Sequence, residues 1–145
     1  MNATIGPPHT DTPAAARPAV PVQPVHVVVA DDSDEFRSVA RAWIATQPRL
    51  RLVGEARNGQ EAVGVVRGGA AHVDLVLMDA AMPQMDGFEA TRHIKASAPA
   101  PAVVVLTFHD GDVARAKALE AGADGFVTKP ELTERLWAEI LRLFP

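Results

Sequence analysis

The chain contains no cysteine, so neither disulfides nor thiolate metal sites are open to it. It has no basic excess: 14 Lys and Arg stand against 18 Asp and Glu, a net charge of -4 that argues against a nucleic-acid surface. No apolar run approaches the ~20 residues of a membrane span. The N-terminus lacks the basic start and apolar core of a secretory signal. The five histidines, His9, His26, His72, His93 and His109, have no spacing suited to a metal. A cytoplasmic protein without membrane or nucleic-acid contacts is the expectation that remains.

Among 145 residues there is room for one domain with a real core, and a hydrophobic content of 48% suits an α/β protein. Residues 1–24 carry half of the twelve prolines with few charges. Such a segment cannot bury enough apolar surface to offset its ordering entropy, which predicts a disordered Pro/Ala-rich arm ahead of a domain over 25–145.

Within that domain, Val25–Ala30 reads as a buried strand ending on Asp31 and Asp32. Ser33 or Asp32 can cap the helix that follows, and Phe36, Val39, Ala40, Trp43 and Ile44 recur at helical spacing. Leu50–Ala56 reads as an edge strand. Asn58 and Glu61 resemble a capping box for a helix that Gly68 and Gly69 stop. A third apolar run ends on Asp79, and a Pro- and Gly-punctuated turn leads to a helix over about 87–97, with Phe88, Thr91 and Ile94 facing in. Ala102–Leu106 ends on Thr107. Asp110 suits the cap of a fourth, weakly striped helix that closes at Gly122. Asp124–Thr128 is a short strand before Lys129 and Pro130. The last helix shows an inner stripe of Leu132, Leu136, Ile140 and Leu143, and a second stripe of Trp137, Leu141 and Phe144.

Five strands alternating with five helices imply a parallel sheet, whose strands all end on one rim. That rim receives Asp31, Asp32, Asp79, Thr107 and Lys129. Each alone is an ordinary turn or cap residue. Together they form a crevice of three acids, one hydroxyl and one ammonium. Such carboxylates need neutralising, and an all-oxygen donor set points to Mg²⁺ or Mn²⁺. Asp79 is the candidate nucleophile towards phosphorus, a chemistry that depends on neutralising the transferring group. Asp31 and Asp32 are better placed as metal ligands.

These residues resemble the receiver domain of two-component response regulators, the CheY-like family. The resemblance rests on Asp31-Asp32, on Asp79 with Met82-Pro83-Gln84-Met85-Asp86-Gly87, on Thr107 after its apolar run, and on the stretch from Ala121 to Pro130. It implies a flavodoxin-like, doubly wound sheet of order 2-1-3-4-5. It implies that Asp79 is phosphorylated by a phosphohistidine on a sensor histidine kinase or phosphotransfer protein, the chain being a signalling phosphoacceptor and not a turnover enzyme. It further implies that Asp31, Asp32, Asp79 and the Ala81 carbonyl hold Mg²⁺ and that Lys129 and Thr107 contact the phosphoryl oxygens. Thr107 and Phe126 would form the switch, Lys129-Pro130 would be cis, and helix four, strand five and helix five would present the face for a homodimer or effector.

The chain departs from that family in several places. Phe126 stands where Tyr is frequent, Phe108 is large where small residues are common, and Ala81 and His109 border the water route to an acyl phosphate. The patterns around Val53–Ala62 and Leu106–Asp110 are most similar to receivers of the NarL/LuxR kind, which precede a helix-turn-helix effector. Two other readings compete. Asp32-Ser33-Asp34 resembles the nucleophile motif of haloacid-dehalogenase-type phosphatases, although Glu35-Phe36 follows where Thr or Val is wanted. A receiver acting as a phosphorylation-independent binding module is the second.

Overall fold

Strands that are apolar on both faces need cover on both sides, and the alternating helices supply it. A computed structural model of the protein describes residues 23–108 and 111–145. The expected arm therefore lies almost wholly outside the described residues, as do His109 and Asp110. The elements in order are β1 Val25–Ala30, α1 Asp34–Ala45, β2 Leu50–Ala56, α2 Gly59–Gly68, β3 Leu75–Asp79, α3 Gly87–Lys95, β4 Ala102–Thr107, α4 Asp112–Glu120, β5 Gly125–Thr128 and α5 Leu132–Leu143. A 3₁₀ turn, Lys129–Glu131, links β5 to α5. All strand pairs are parallel and their order is β2-β1-β3-β4-β5, the flavodoxin-like arrangement expected.

Side chains alternate between two cores. Val25, Val27, Val29, Leu75, Leu77, Val104, Leu106 and Val127 pack with Ala40 and Ile44 of α1 and with Leu136 and Ile140 of α5. Val28, Val76, Met78, Val103 and Val105 pack on the other face with α2, α3 and α4. Burying each Leu or Val contributes about 1.5–3 kcal/mol, so the three central strands dominate the stability.

Helix starts follow the capping logic. Ser33 Oγ accepts from the Phe36 N–H (3.1 Å), Asn58 Oδ1 from Glu61 N–H (2.8 Å) and Asp86 Oδ1 from Glu89 N–H (2.8 Å). The Asn58 box is only half reciprocal, because Glu61 Oε1 takes the Arg57 N–H instead. Helix α4 has Gly111 at its N-cap, in place of the Asp110 expected, so it lacks a side-chain cap, and it buries only Ala118. Its weak stripe accounts for that shallow packing.

One expectation needs correction, and the structure sharpens two others. Val39 is 56% exposed, and the core-facing position nearby belongs to Arg37, whose guanidinium is fully engaged. Helix α3 ends at Lys95, with Ala96 as its cap. Of the second stripe of α5, Trp137 and Phe144 pack against the core, with Trp137 edge-on to Trp43 at 6.3 Å, and Leu141 is left partly exposed. Gly122 does take the left-handed φ of 95° expected of it.

Candidate functional site

Counting in twos along each strand explains which polar side chains meet. The residues facing α1 and α5 lead from Val29 to Asp31, from Leu77 to Asp79 and from Val127 to Lys129. These three come into contact: Lys129 Nζ lies 2.6 Å from Asp31 Oδ2 and 3.1 Å from Asp79 Oδ1. Asp31, Asp79 and Lys129 are all buried. Thr107 has the opposite parity, following Val103 and Val105, but lines the same cleft. That cleft, of about 230 Å³, is bounded by Asp31, Asp32, Ser33, Asp79, Ala81, Thr107, Phe108 and Lys129.

Two loops fix the acids. In the β1–α1 connection the Ser33 N–H donates to Asp31 Oδ1 (2.9 Å), and Arg37 Nη1 donates to the Asp31 carbonyl (2.6 Å). Arg37 also pairs with Asp34 and, at 3.3 Å, with Glu55. After β3 the chain doubles back, with the Gly87 N–H donating to the Ala80 carbonyl (2.9 Å). A Cβ on Gly87 would stand 2.1 Å from the Asp79 carbonyl oxygen, so only glycine fits that return.

Burial pushes the Asp79 carboxyl up to about 6, the neighbouring Asp31 adds to the rise, and the Lys129 ammonium opposes it. One carboxylate oxygen from each of Asp31, Asp32 and Asp79 lies within 4.8 Å of the others. Three carboxylates against one ammonium leave uncompensated negative charge in a largely buried place. A hard divalent cation with oxygen ligands fits that donor set.

The structure thus gathers Asp31, Asp32, Asp79, Ala81, Thr107 and Lys129 at one cleft. Phe126 lies apart from it, half-buried on the α4 side, with the Arg115 guanidinium 4.7 Å above its ring. The Lys129-Pro130 bond is not cis, contrary to the expectation; the cis bond among the described residues is Ala98-Pro99. Pro130 enters a 3₁₀ turn directly after β5, where its fixed φ is suited and its missing N–H goes unneeded.

Two neighbours were not foreseen. Arg37 was legible in principle, since 37, 40 and 44 follow the core-facing spacing of α1. Phe36 belongs to the apolar stripe of α1 by its spacing, but its ring sits 4.2 Å from Lys129 Nζ, and Phe108 faces the same ammonium at 4.8 Å.

A doubly wound α/β domain with an acidic cleft and a buried lysine at its strand ends is the class that this geometry defines. Residues 27–141 match the family described as the response regulator receiver domain. The chain is 42% identical over 108 residues to protein-glutamate methylesterase/protein-glutamine glutaminase 4 of Myxococcus xanthus, covering 74% of this chain and 30% of that protein. It is 42% identical over 113 residues to the two-component response regulator ORR41 of Oryza sativa subsp. japonica, covering 77% of this chain and 88% of that one. Among solved structures, a LuxR-family two-component response regulator from Aurantimonas sp. SI85-9A1 superposes with a TM-score of 0.75 at 34% identity, over 83% of this chain and 86% of that chain. The response regulator domain of Thermotoga maritima CheB gives 0.75 at 30% identity, over 84% and 97%. The chain belongs to the response-regulator receiver family. It spans less than a third of the methylesterases it resembles. No helix among the described residues is long and apolar enough to cross a membrane.

Proposed function

We propose that the chain is a phosphoacceptor of a two-component relay, modified on Asp79 by a phosphohistidine of a sensor kinase or phosphotransfer protein. In the transfer, an Asp79 carboxylate oxygen bonds to phosphorus as the P–N bond of the donor breaks, and the electron pair leaves with the imidazole nitrogen. The observation that carries this reading is the contact of buried Lys129 with both Asp31 and Asp79 in one open cleft. The acceptor carboxylate is buried at the end of β3, and an ammonium that already touches it can turn to the incoming phosphoryl oxygens.

Asp31, Asp32, Asp79 and the Ala81 carbonyl are the oxygens that hold Mg²⁺ on this reading. The ion, when bound, neutralises charge on the phosphoryl group. Thr107, across the cleft, contributes a hydroxyl to the same oxygens. Thr107 and Phe126 then carry the change to the face formed by α4, β5 and α5, where a second copy or an effector is engaged. Ser33 of the Asp32-Ser33-Asp34 motif serves as a helix cap, and membership of the receiver family displaces the phosphatase alternative.

Incubation with acetyl phosphate and Mg²⁺, followed by intact mass, tests the reading. One phosphoryl adduct is expected, absent in Asp79→Asn and absent when the metal is chelated. An adduct that persists in Asp79→Asn would remove the assignment.

A further inference from the structure

Phe108 is anomalous for a large apolar side chain. It is 67% exposed, although it stands at the mouth of a buried polar cleft. One face of its ring lies 4.8 Å from Lys129 Nζ, inside the range of a cation–π contact. Phe36 closes on the same ammonium from 4.2 Å, so Lys129 is bracketed by two rings while its hydrogen-bonding capacity is directed at Asp31 and Asp79. The contact biases the Phe108 ring towards the cleft mouth. Most of the side chain remains exposed, at the mouth of the cleft that holds Asp79. An exposed aromatic ring biased towards this position is a stacking platform for a flat group that enters the cleft.

We propose that Phe108 is a specificity-determining residue that favours phosphoryl donors whose leaving group is a flat heteroaromatic ring over donors that release a small carboxylate. The inference rests on the phosphoacceptor reading of Asp79 and adds a donor preference to it. With a phosphoimidazole, the P–N bond breaks as the bond from phosphorus to the Asp79 oxygen forms. The ring, protonated on its other nitrogen, keeps the P–N electron pair and leaves as neutral imidazole, stacked on Phe108 throughout. With acetyl phosphate the leaving acetate has no face to offer. The ring then acts only as bulk.

The test compares phosphorylation rates of the full chain with monophosphoimidazole and with acetyl phosphate, in Mg²⁺, for the wild type, Phe108→Ala, Phe108→Leu and Phe108→Trp. Because the side chain is mostly exposed, these variants leave the core intact. The monophosphoimidazole-to-acetyl-phosphate rate ratio should fall roughly fivefold in both Phe108→Ala and Phe108→Leu, and be kept in Phe108→Trp. A steric or structural role moves both donors together and leaves the ratio unchanged, which would overturn the proposal. Retention of the ratio in Phe108→Leu would do the same, since bulk would then suffice without a ring. If neither donor forms an adduct on any of the four proteins, the phosphoacceptor reading fails as well; adducts with a constant ratio sink the donor preference alone.

Discussion

Removing the charge of Asp79 should stabilise the metal-free protein, and the effect should depend on pH. Its carboxyl rises from 3.8 to about 6 on folding, because burial and Asp31 outweigh the help from Lys129. Each unit corresponds to about 1.4 kcal/mol, so ionising Asp79 in the folded state costs up to about 3 kcal/mol. The folded protein keeps this proton longer than the unfolded chain. Stability is thus highest where both are protonated, falls as pH rises from about 3.8 through 6, and levels off above. Asp79→Asn escapes that loss, but it weakens the contact with Lys129 at 3.1 Å and still buries an amide. A net gain of about 1–2 kcal/mol at pH 8 follows, or roughly 4 °C per kcal/mol in Tm for a domain of this size. Urea denaturation of both proteins in EDTA at pH 4 and pH 8 measures it. The gain should shrink to a few tenths of a kcal/mol at pH 4. A variant no more stable than wild type at pH 8, or a gain equal at both pH values, would refute the electrostatic account of the cleft.

Three further outcomes are expected. Asp32 is the exposed member of the acidic group, so Asp32→Asn should fold normally yet bind Mg²⁺ roughly tenfold or more weakly in calorimetric titration; unchanged affinity would remove Asp32 from the ligand set. Gly87→Ala would drive its Cβ into the Asp79 carbonyl, 2.1 Å away, and should cost about 3 kcal/mol or more in urea denaturation; a loss below about 1 kcal/mol would mean the loop can yield. Burial works against ionised Asp74, but bonds from the His26 N–H (2.9 Å) and from the His26 and His72 rings (2.8 and 2.7 Å) hold its carboxyl below 3.8. Its contribution is complete above that value and is lost as pH falls through the lower folded value. Asp74→Asn should therefore cost about 1 kcal/mol at pH 7 and nothing in strong acid, and a loss independent of pH would count against the pairing.

The strand ends were readable because each central strand is a closed apolar run with a polar residue at its carboxyl end. Asp79 could be singled out this way without coordinates, as could Thr107, whereas Lys129 follows the short edge strand β5 and was placed by the parallel rim alone. The contact of Lys129 with Asp31 spans 98 residues, and only the sheet order made it an expectation. What escaped was the use of single side chains against their type. Arg37 occupies a core-facing position, and composition favours Val39 there; the choice depends on acceptors supplied by Asp31, Asp34 and Glu55, which come from the β1–α1 loop, α1 and β2. Phe36 matched an apolar stripe equally well whether it met leucine or an ammonium. A cis Lys129-Pro130 bond is what the resemblance implies, and the bond that leads into the 3₁₀ turn is not cis.

On the phosphoacceptor reading, the same alternation bears on which way a charge change at Asp79 would travel. Asp31, Asp79 and Lys129 lie on the side of α1 and α5, where Leu136 and Ile140 are 1% exposed and Trp43 meets Trp137 edge to face. That side is packed too closely to yield without losing apolar contact. Thr107 stands on the other parity, in series with Val103 and Val105, and Phe126 pairs with Val105 in the sheet. Beyond Phe126 is α4, the helix that buries one residue and starts without a side-chain cap. If Asp79 accepts a phosphoryl group as proposed, a shift of Thr107 towards it would meet least resistance through β4 and β5 into α4, because Ala118 is the one buried residue of that helix.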